Sequence, residues 1–289
     1  MKTMKKSSIT TLLSFLIVIT LLLTGCAKKL TSSSSGEGNL QYGFTGNESY
    51  SYMQTSKMIQ TIVFGGQEVN TSVNTNLGFT AKGKGIVNGD LMLEIAVDTM
   101  GLSINSMGNN VKEDVSDLKG KSFMMTMSTK GKDKDLDEAE NITFSIAGLQ
   151  TSNLKSSFST IFPGLPEENV SIAYTWQDTD TINVNTETEN AEMIIISNNT
   201  VESREEVSGY DCYKITYQIS GTRDGSSQTP QGLIVTNSDL KGSGYFYFAV
   251  KEGIIVSDHS EVKSDGDVVI PTGESIPMYM TITTDFNIL

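Results

Sequence analysis

Apolar and polar residues alternate along most of this chain. Leu91, Leu93, Ile95 and Val97 are interleaved with Met92, Glu94, Ala96 and Asp98; Tyr213, Ile215, Tyr217 and Ile219 with Cys212, Lys214, Thr216 and Gln218. A period of two sends successive side chains to opposite faces of a sheet, so these segments predict half-buried antiparallel strands. Turn signals fall between them: Gly65-Gly66, Asn88-Gly89, Gly108-Asn109-Asn110, Lys130-Gly131-Lys132, Asp224-Gly225, Glu252-Gly253 and Asp265-Gly266. Several suit hairpins, where Asn and Gly take positive φ at little cost. The pattern yields roughly ten to thirteen strands.

One segment has a helical period instead. Thr151-Ser152-Asn153 can start a helix, Leu154, Phe158, Ile161 and Phe162 recur on one face, and Pro163-Gly164 ends it. This predicts one short central amphipathic helix able to cover an end of the sheet. It lies between two stretches that look related. Ser116-Asp117-Leu118-Lys119-Gly120 recurs as Ser238-Asp239-Leu240-Lys241-Gly242, and each copy leads into an apolar run, Ser122 to Met127 and Gly244 to Ala249. An internal duplication with halves at about 40–150 and 165–289 is the expectation.

The N-terminus follows a different logic. Lys2, Lys5 and Lys6 precede an apolar stretch from Leu12 to Leu23, which ends in Leu23-Thr24-Gly25-Cys26. A run this short, basic in front and small at its end, reads as an export signal over residues 1–25. It falls short of the roughly 20 apolar residues of a spanning helix. Leu23-Thr24-Gly25-Cys26 resembles the lipobox of bacterial lipoproteins. That resemblance implies cleavage before Cys26, lipid on its thiol and attachment to the extracytoplasmic face of a bacterial cell membrane. Residues 26–39, with Ser32-Ser33-Ser34-Ser35-Gly36-Glu37-Gly38, then read as a lipidated cysteine on a flexible Ser/Gly tether. Residues 40–289 are the β-rich body.

Two further stretches carry a second resemblance. Val207-Ser208-Gly209-Tyr210-Asp211-Cys212-Tyr213-Lys214-Ile215-Thr216 looks like a strand pair of LolA-like exported lipoproteins. Phe162-Pro163-Gly164-Leu165-Pro166-Glu167-Glu168 with Tyr174-Thr175-Trp176 looks like uncharacterised bacterial lipoprotein domains. The resemblance implies a mainly β fold: a large curved antiparallel sheet, or half-barrel, around an apolar cavity that holds acyl chains, with helix at its mouth. The strands after the repeated pentapeptide fit such a lining, being apolar on both faces. Phe123, Met125 and Met127 share one face, and Tyr245 and Tyr247 are their counterparts, with Phe246 and Phe248 opposite. Phe123, Met125, Tyr245 and Tyr247 are therefore the candidate ligand-lining residues, for a lipid or another apolar molecule. The alternative is a structural or protein-interaction envelope lipoprotein with a filled core and no ligand.

Charge and composition narrow the chemistry. The chain carries −13 and has arginine only at positions 204 and 223. Such a surface repels nucleic acid and anionic head groups. Of the two cysteines, Cys26 is assigned to lipid, which leaves Cys212 without a disulfide partner. The sole histidine, His259, is read as a solvent-facing residue at a strand end; no Gly-x-Ser-x-Gly elbow accompanies it. Asp133, Asp135 and Asp137 open like a calcium loop, but Glu138 stands where glycine is needed and Phe144 where the closing glutamate belongs. They are read as a solvated acidic loop. No catalytic site, metal site or cofactor is expected.

Overall fold

In the computed structural model, residues 27–28, 38–113, 115–146, 150–185, 189–229 and 231–289 are described. Cys26, the export signal and most of the tether lie outside them. The body is a mainly β, curved antiparallel sheet that does not close on itself. Its strands are β1 (Ala27–Lys28), β2 (Ser49–Phe64), β3 (Gln67–Val87), β4 (Asp90–Ser106), β5 (Asn109–Glu113), β6 (Ser122–Ser128), β7 (Asp133–Asp135), β10 (Thr175–Asn185), β11 (Glu189–Val207), β12 (Tyr210–Thr229), β13 (Gly232–Ala249), β14 (Ile254–Val269) and β15 (Ser275–Ile288). β8 (Thr143–Ile146) and β9 (Gln150–Asn153) form a separate hairpin. The order across the large sheet is β1-β10-β11-β12-β13-β14-β15-β2-β3-β4-β6-β7, with β5 also on β4. The last strand thus pairs with the first long one, and both halves of the chain form one continuous sheet.

The strands are long. At about 3.3 Å per residue, the 21 residues of β3 span about 70 Å. Such strands bend only where the ladder is interrupted. Register shifts occur at Gly78/Phe79, Gly83/Gly85, Val201/Ser203 and Tyr247/Phe248, and each extra residue kinks its strand and increases the twist. Four hairpins use tight turns with both residues at positive φ: Gly65-Gly66 (59° and 76°), Asn88-Gly89 (54° and 91°), Met107-Gly108 (53° and 81°) and Ser208-Gly209 (52° and 84°). These turns match the right-handed twist of the flanking strands.

The buried face carries two apolar clusters. The larger fills one end of the sheet with Tyr52, Phe79, Leu93, Phe123, Tyr213, Phe248 and Phe286. The smaller, at the opposite end, holds Ile62, Ile234, Val268, Ile270, Ile276 and Met278. Between them runs a belt of buried polar residues, including Gln60, Thr71, Ser238 and Ser264. The connection between β6 and β10 and the segment before β2 cap the larger cluster. There Lys130 Nζ donates to Asn39 Oδ1 and to the Leu40 carbonyl, both at 2.6 Å, and the Tyr42 hydroxyl donates to the Pro163 carbonyl at 2.7 Å.

Several expectations need correction. The described residues contain two short helices, α1 (Asp137–Glu140) and α2 (Leu154–Phe158), where one was expected. α2 is capped by Asn153, whose side chain accepts from Ser156 N, but it stops at Phe158. Ile161 and Phe162 follow in a turn, still buried. The repeated pentapeptide takes two conformations. Ser116–Leu118 is a 3-10 turn followed by Gly120 at φ 80°, whereas Ser238 to Gly242 lie within β13. Its first copy bridges from β5 to β6 along the same edge of β4; its second is held between β12 and β14. The order β3-β4-β6-β7 parallels β11-β12-β13-β14, as any meander of hairpins would. The five identical residues do not mark equivalent structure. Ala27 and Lys28, read as tether, pair with Asp178 and Gln177 of β10.

Candidate functional site

The four candidate lining residues fall on opposite faces of the sheet. Phe123 and Met125 are 2% and 1% exposed, inside the larger cluster. Phe158 of α2 sits edge-on to Phe123 and to Phe79, with ring centres 5.0 Å apart in each case. Phe162 packs against Tyr42, Phe44 and Tyr52 at 5.5, 5.7 and 6.3 Å, and Tyr52 stacks on Phe286 at 4.9 Å. These side chains interdigitate as core. Tyr245 and Tyr247 are on the outer face, because in β13 it is Phe246 and Phe248 that point inward. The counterpart assignment is therefore corrected: the tyrosines cannot share a lining with Phe123 and Met125. The helix does cover one end of the sheet, as its apolar stripe implied.

The outer face gathers most of the exposed chemistry. Thr216, Tyr245, His259, Asp285, Thr55, Asn76 and Gly101 stand directly opposite one another on adjacent strands, one rung across β12, β13, β14, β15, β2, β3 and β4. Tyr245 is 37% exposed. Its ring lies 5.7 Å from Tyr247, 5.6 Å from His259 and 5.5 Å from the Lys214 ammonium. His259 Nδ1 and Asp285 Oδ1 are 2.7 Å apart. His259 is mid-strand in β14, not at a strand end. Beyond Asp285 the rung enters a groove of about 640 Å³ over β15, β2, β3 and β4, lined by Thr55, Lys57, Asn74, Asn76, Lys112 and Thr283 among others. A second groove, of about 760 Å³, crosses β12 to β15 on the same face. It presents Asp224, Asp239, Asp265, Asp267, Lys263 and Tyr279.

Buried ionisable groups sit on the inner face. Asp258 accepts from the Tyr217 hydroxyl at 2.7 Å. Burial pushes its carboxyl up to about 7, against the opposing pull of the Tyr217 hydrogen bond and of His259. Asp178 also rises to about 7, through burial and the neighbouring Asp180. Its Oδ1 accepts from Thr179 N at 2.8 Å, while Oδ2 has no partner among the described residues. Sequence alternation alone could have flagged Asp258, since it shares an inward parity with Val256 and Val262. Nothing in the sequence pointed to Asp178.

Cys212 is buried, and burial lifts its thiol to about 11, so little reactive thiolate forms near neutral pH. The acidic stretch is not a loop. Asp133 and Asp135 belong to β7, Asp137 and Glu140 to α1, and Lys155 Nζ reaches Glu140 at 2.7 Å and Asp137 at 3.4 Å. Among the described residues no group of three or more His, Cys, Asp or Glu side chains could hold a metal ion, and no helix is long and apolar enough to cross a membrane.

No family model matches this chain, and no curated protein does. Solved structures share only a faint likeness. OpdL of Pseudomonas aeruginosa is 9% identical over 84% of this chain and 99% of its own, with a TM-score of 0.21. A DUF1329 family protein of Desulfovibrio piger is 10% identical over 81% and 85%, at 0.14. The β domain of the Bordetella autotransporter BrkA is 8% identical over 83% and 98%, at 0.15. Scores this low reflect no more than a shared richness in strand.

Proposed function

We propose that this chain is a lipoprotein of the bacterial envelope, held on the extracytoplasmic face of a membrane by lipid on Cys26, whose body is a binding module that works through its outer sheet face. The observation that carries the reading is the aromatic packing of Phe79, Phe123, Phe158 and Phe162 beneath α2. An acyl chain would have to displace these rings from the place where a LolA-like carrier holds its cargo. Interior side chains at native density leave no room for that without loss of packing. The outer face, in contrast, offers grooves, exposed tyrosine and unpaired polar groups to solvent.

Anchoring follows from the lipobox-like sequence. Two acyl chains on one thiol supply the two hydrophobic signals that stable attachment needs. Fractionation of cells expressing Cys26→Ala tests this, with release from membranes or retention as an uncut precursor as the expected result. Normal processing and undiminished membrane attachment in that variant would refute it. Native mass spectrometry of the purified chain after incubation with membrane lipids tests the filled core. No second lipid beyond the covalent one should be retained.

A further inference from the structure

We infer that the outer-face groove over β15, β2, β3 and β4, extended along its rung to Tyr245, is a binding site for a linear acidic polysaccharide. The inference rests on the reading above, that the outer face is the working one, and names what it takes.

Charge is the first argument. The chain as a whole carries −13. Lys84, Lys155, Lys214 and Lys263 pair with Glu94, Glu140, Glu202 and Glu261, and Lys241, which forms no ion pair among the described residues, lies in a groove with Asp224, Asp239, Asp265 and Asp267. Lys57 and Lys112 line one groove and form no ion pair among the described residues. The one carboxylate on that lining, Asp285, is already engaged by His259. The groove is therefore a cationic strip on an acidic body, and it selects an anion.

Shape and hydrogen bonding choose among anions. Thr55, Asn74 and Asn76 are exposed, with no side-chain partner among the described residues, so they offer donors and acceptors to hydroxyl groups. A peptide would bind a sheet by pairing at a strand edge. Here β15, β2 and β3 under the groove are interior to the sheet, each paired with a strand on both sides. A lipid would need an apolar lining, which Thr, Asn and Lys do not provide. Duplex nucleic acid carries one charge per about 1.7 Å of its axis, a density that two lysines on an acidic body do not match. A sugar chain brings its own hydroxyls, and an acidic one also brings carboxylates or phosphates for the two lysines.

Reach supplies the third argument. Seven strands at about 4.8 Å spacing make the rung about 29 Å long, room for an oligosaccharide lying across the strands. At its far end the half-exposed Tyr245 ring offers an apolar surface for a sugar face, and Lys214 and His259 flank it. Gly101 completes the groove floor: Asn76 lies across it, and an added methyl there would overlap the Asn76 amide.

Titration calorimetry of the full chain in detergent with sodium polygalacturonate, and with neutral pullulan as the comparison, tests the proposal. Binding to polygalacturonate is expected, at least tenfold weaker for Lys57→Gln with Lys112→Gln and several-fold weaker for Tyr245→Ala. These positions are exposed, and unchanged circular dichroism would confirm that the variants fold. Absence of polygalacturonate binding, equal binding of pullulan, or undiminished binding by the double-lysine variant would overturn the site. Cys26→Ala should bind the polymer as wild type does, so loss of the anchor and loss of the site are told apart.

Discussion

Removal of one buried charge should change how stability depends on pH. Asp258 is the clearest case. It is buried, faces the Tyr217 hydroxyl, and has His259 and Asp285 nearby. In the unfolded chain its carboxyl titrates near the ordinary value, about 3.9. In the folded chain burial holds it at about 7. Between these values the folded state keeps a proton that the unfolded state has released, so stability falls as pH rises through this window. The contribution is fully present below the unfolded value and lost once pH passes the folded one. Ionisation of the buried carboxyl costs at most about 4 kcal/mol. Relaxation and water entry reduce this, and about 1–2 kcal/mol is the expected effect. Asp178 has the same sign and cause, with Asp180 adding to it and Lys132 opposing.

Asp258→Asn removes the ionisation and leaves an amide oxygen for Tyr217. Thermal unfolding of wild type and variant, followed by circular dichroism from pH 5 to pH 8, reads the difference. Wild-type Tm should fall across this range and the variant's slope should be shallower. At pH 8 the variant should melt about 2–8 °C above wild type, at 2–4 °C per kcal/mol for a chain of this size. Net charge alone also makes an acidic protein less stable as pH rises. Asp265→Asn, on the exposed outer face, removes the same charge without the burial and serves as the control. Coincident slopes for wild type and Asp258→Asn, or equal flattening by Asp265→Asn, would refute the reasoning.

Two packing predictions accompany this one. Phe158→Ala should cost about 3–5 kcal/mol in urea unfolding, because its ring meets both Phe79 and Phe123; a loss under about 1 kcal/mol would mean that the core beneath α2 is not filled. Gly244→Ala should cost about 1–3 kcal/mol, since the added methyl would overlap the Tyr217 hydroxyl and the His259 carbonyl. Its effect should shrink in a Tyr217→Phe background, which a double-mutant cycle would show.

The alternation of Leu91 to Val97 and of Tyr213 to Ile219 predicted buried parity correctly, because a half-buried strand imposes a period of two on its own sequence. Asn88-Gly89 and Gly65-Gly66 are true turns, with the positive φ that such pairs supply. Asp224-Gly225 and Asp265-Gly266 carry the same signal but lie inside β12 and β14. Gly266 serves another purpose: a methyl there would overlap the Asn237 carbonyl and the Ser238 side chain on the neighbouring strand. A glycine needed for close approach and one needed for positive φ look alike in sequence. For that reason the far ends of the longest strands were not visible. The pairing of β15 with β2 left no local mark either, because it joins residues more than two hundred positions apart.

The candidate site was less legible, and the reason is parity. From Tyr245 to Phe248 every residue is aromatic, so the sequence cannot say which alternate set points inward, and a one-residue choice reverses the face. The sheet decides it through neighbours. Phe246 stands opposite Ile215 and Asp258, both inward, whereas Tyr245 stands opposite Thr216 and His259. Once that choice is made, both tyrosines leave the interior, and Tyr245 joins a rung whose other members come from strands early and late in the chain. Lys57 and Lys112 become informative only at this stage, since only the strand pairing brings them into one groove whose lining carries a single carboxylate, Asp285. The inner face holds the body together through rings that interlock, and its buried carboxyls, Asp258 and Asp178, make that stability fall as pH rises. The outer face carries unmatched cations and free hydrogen-bonding groups on a rigid frame. On this chain, recognition can be altered on one side of the sheet without a cost in core packing on the other.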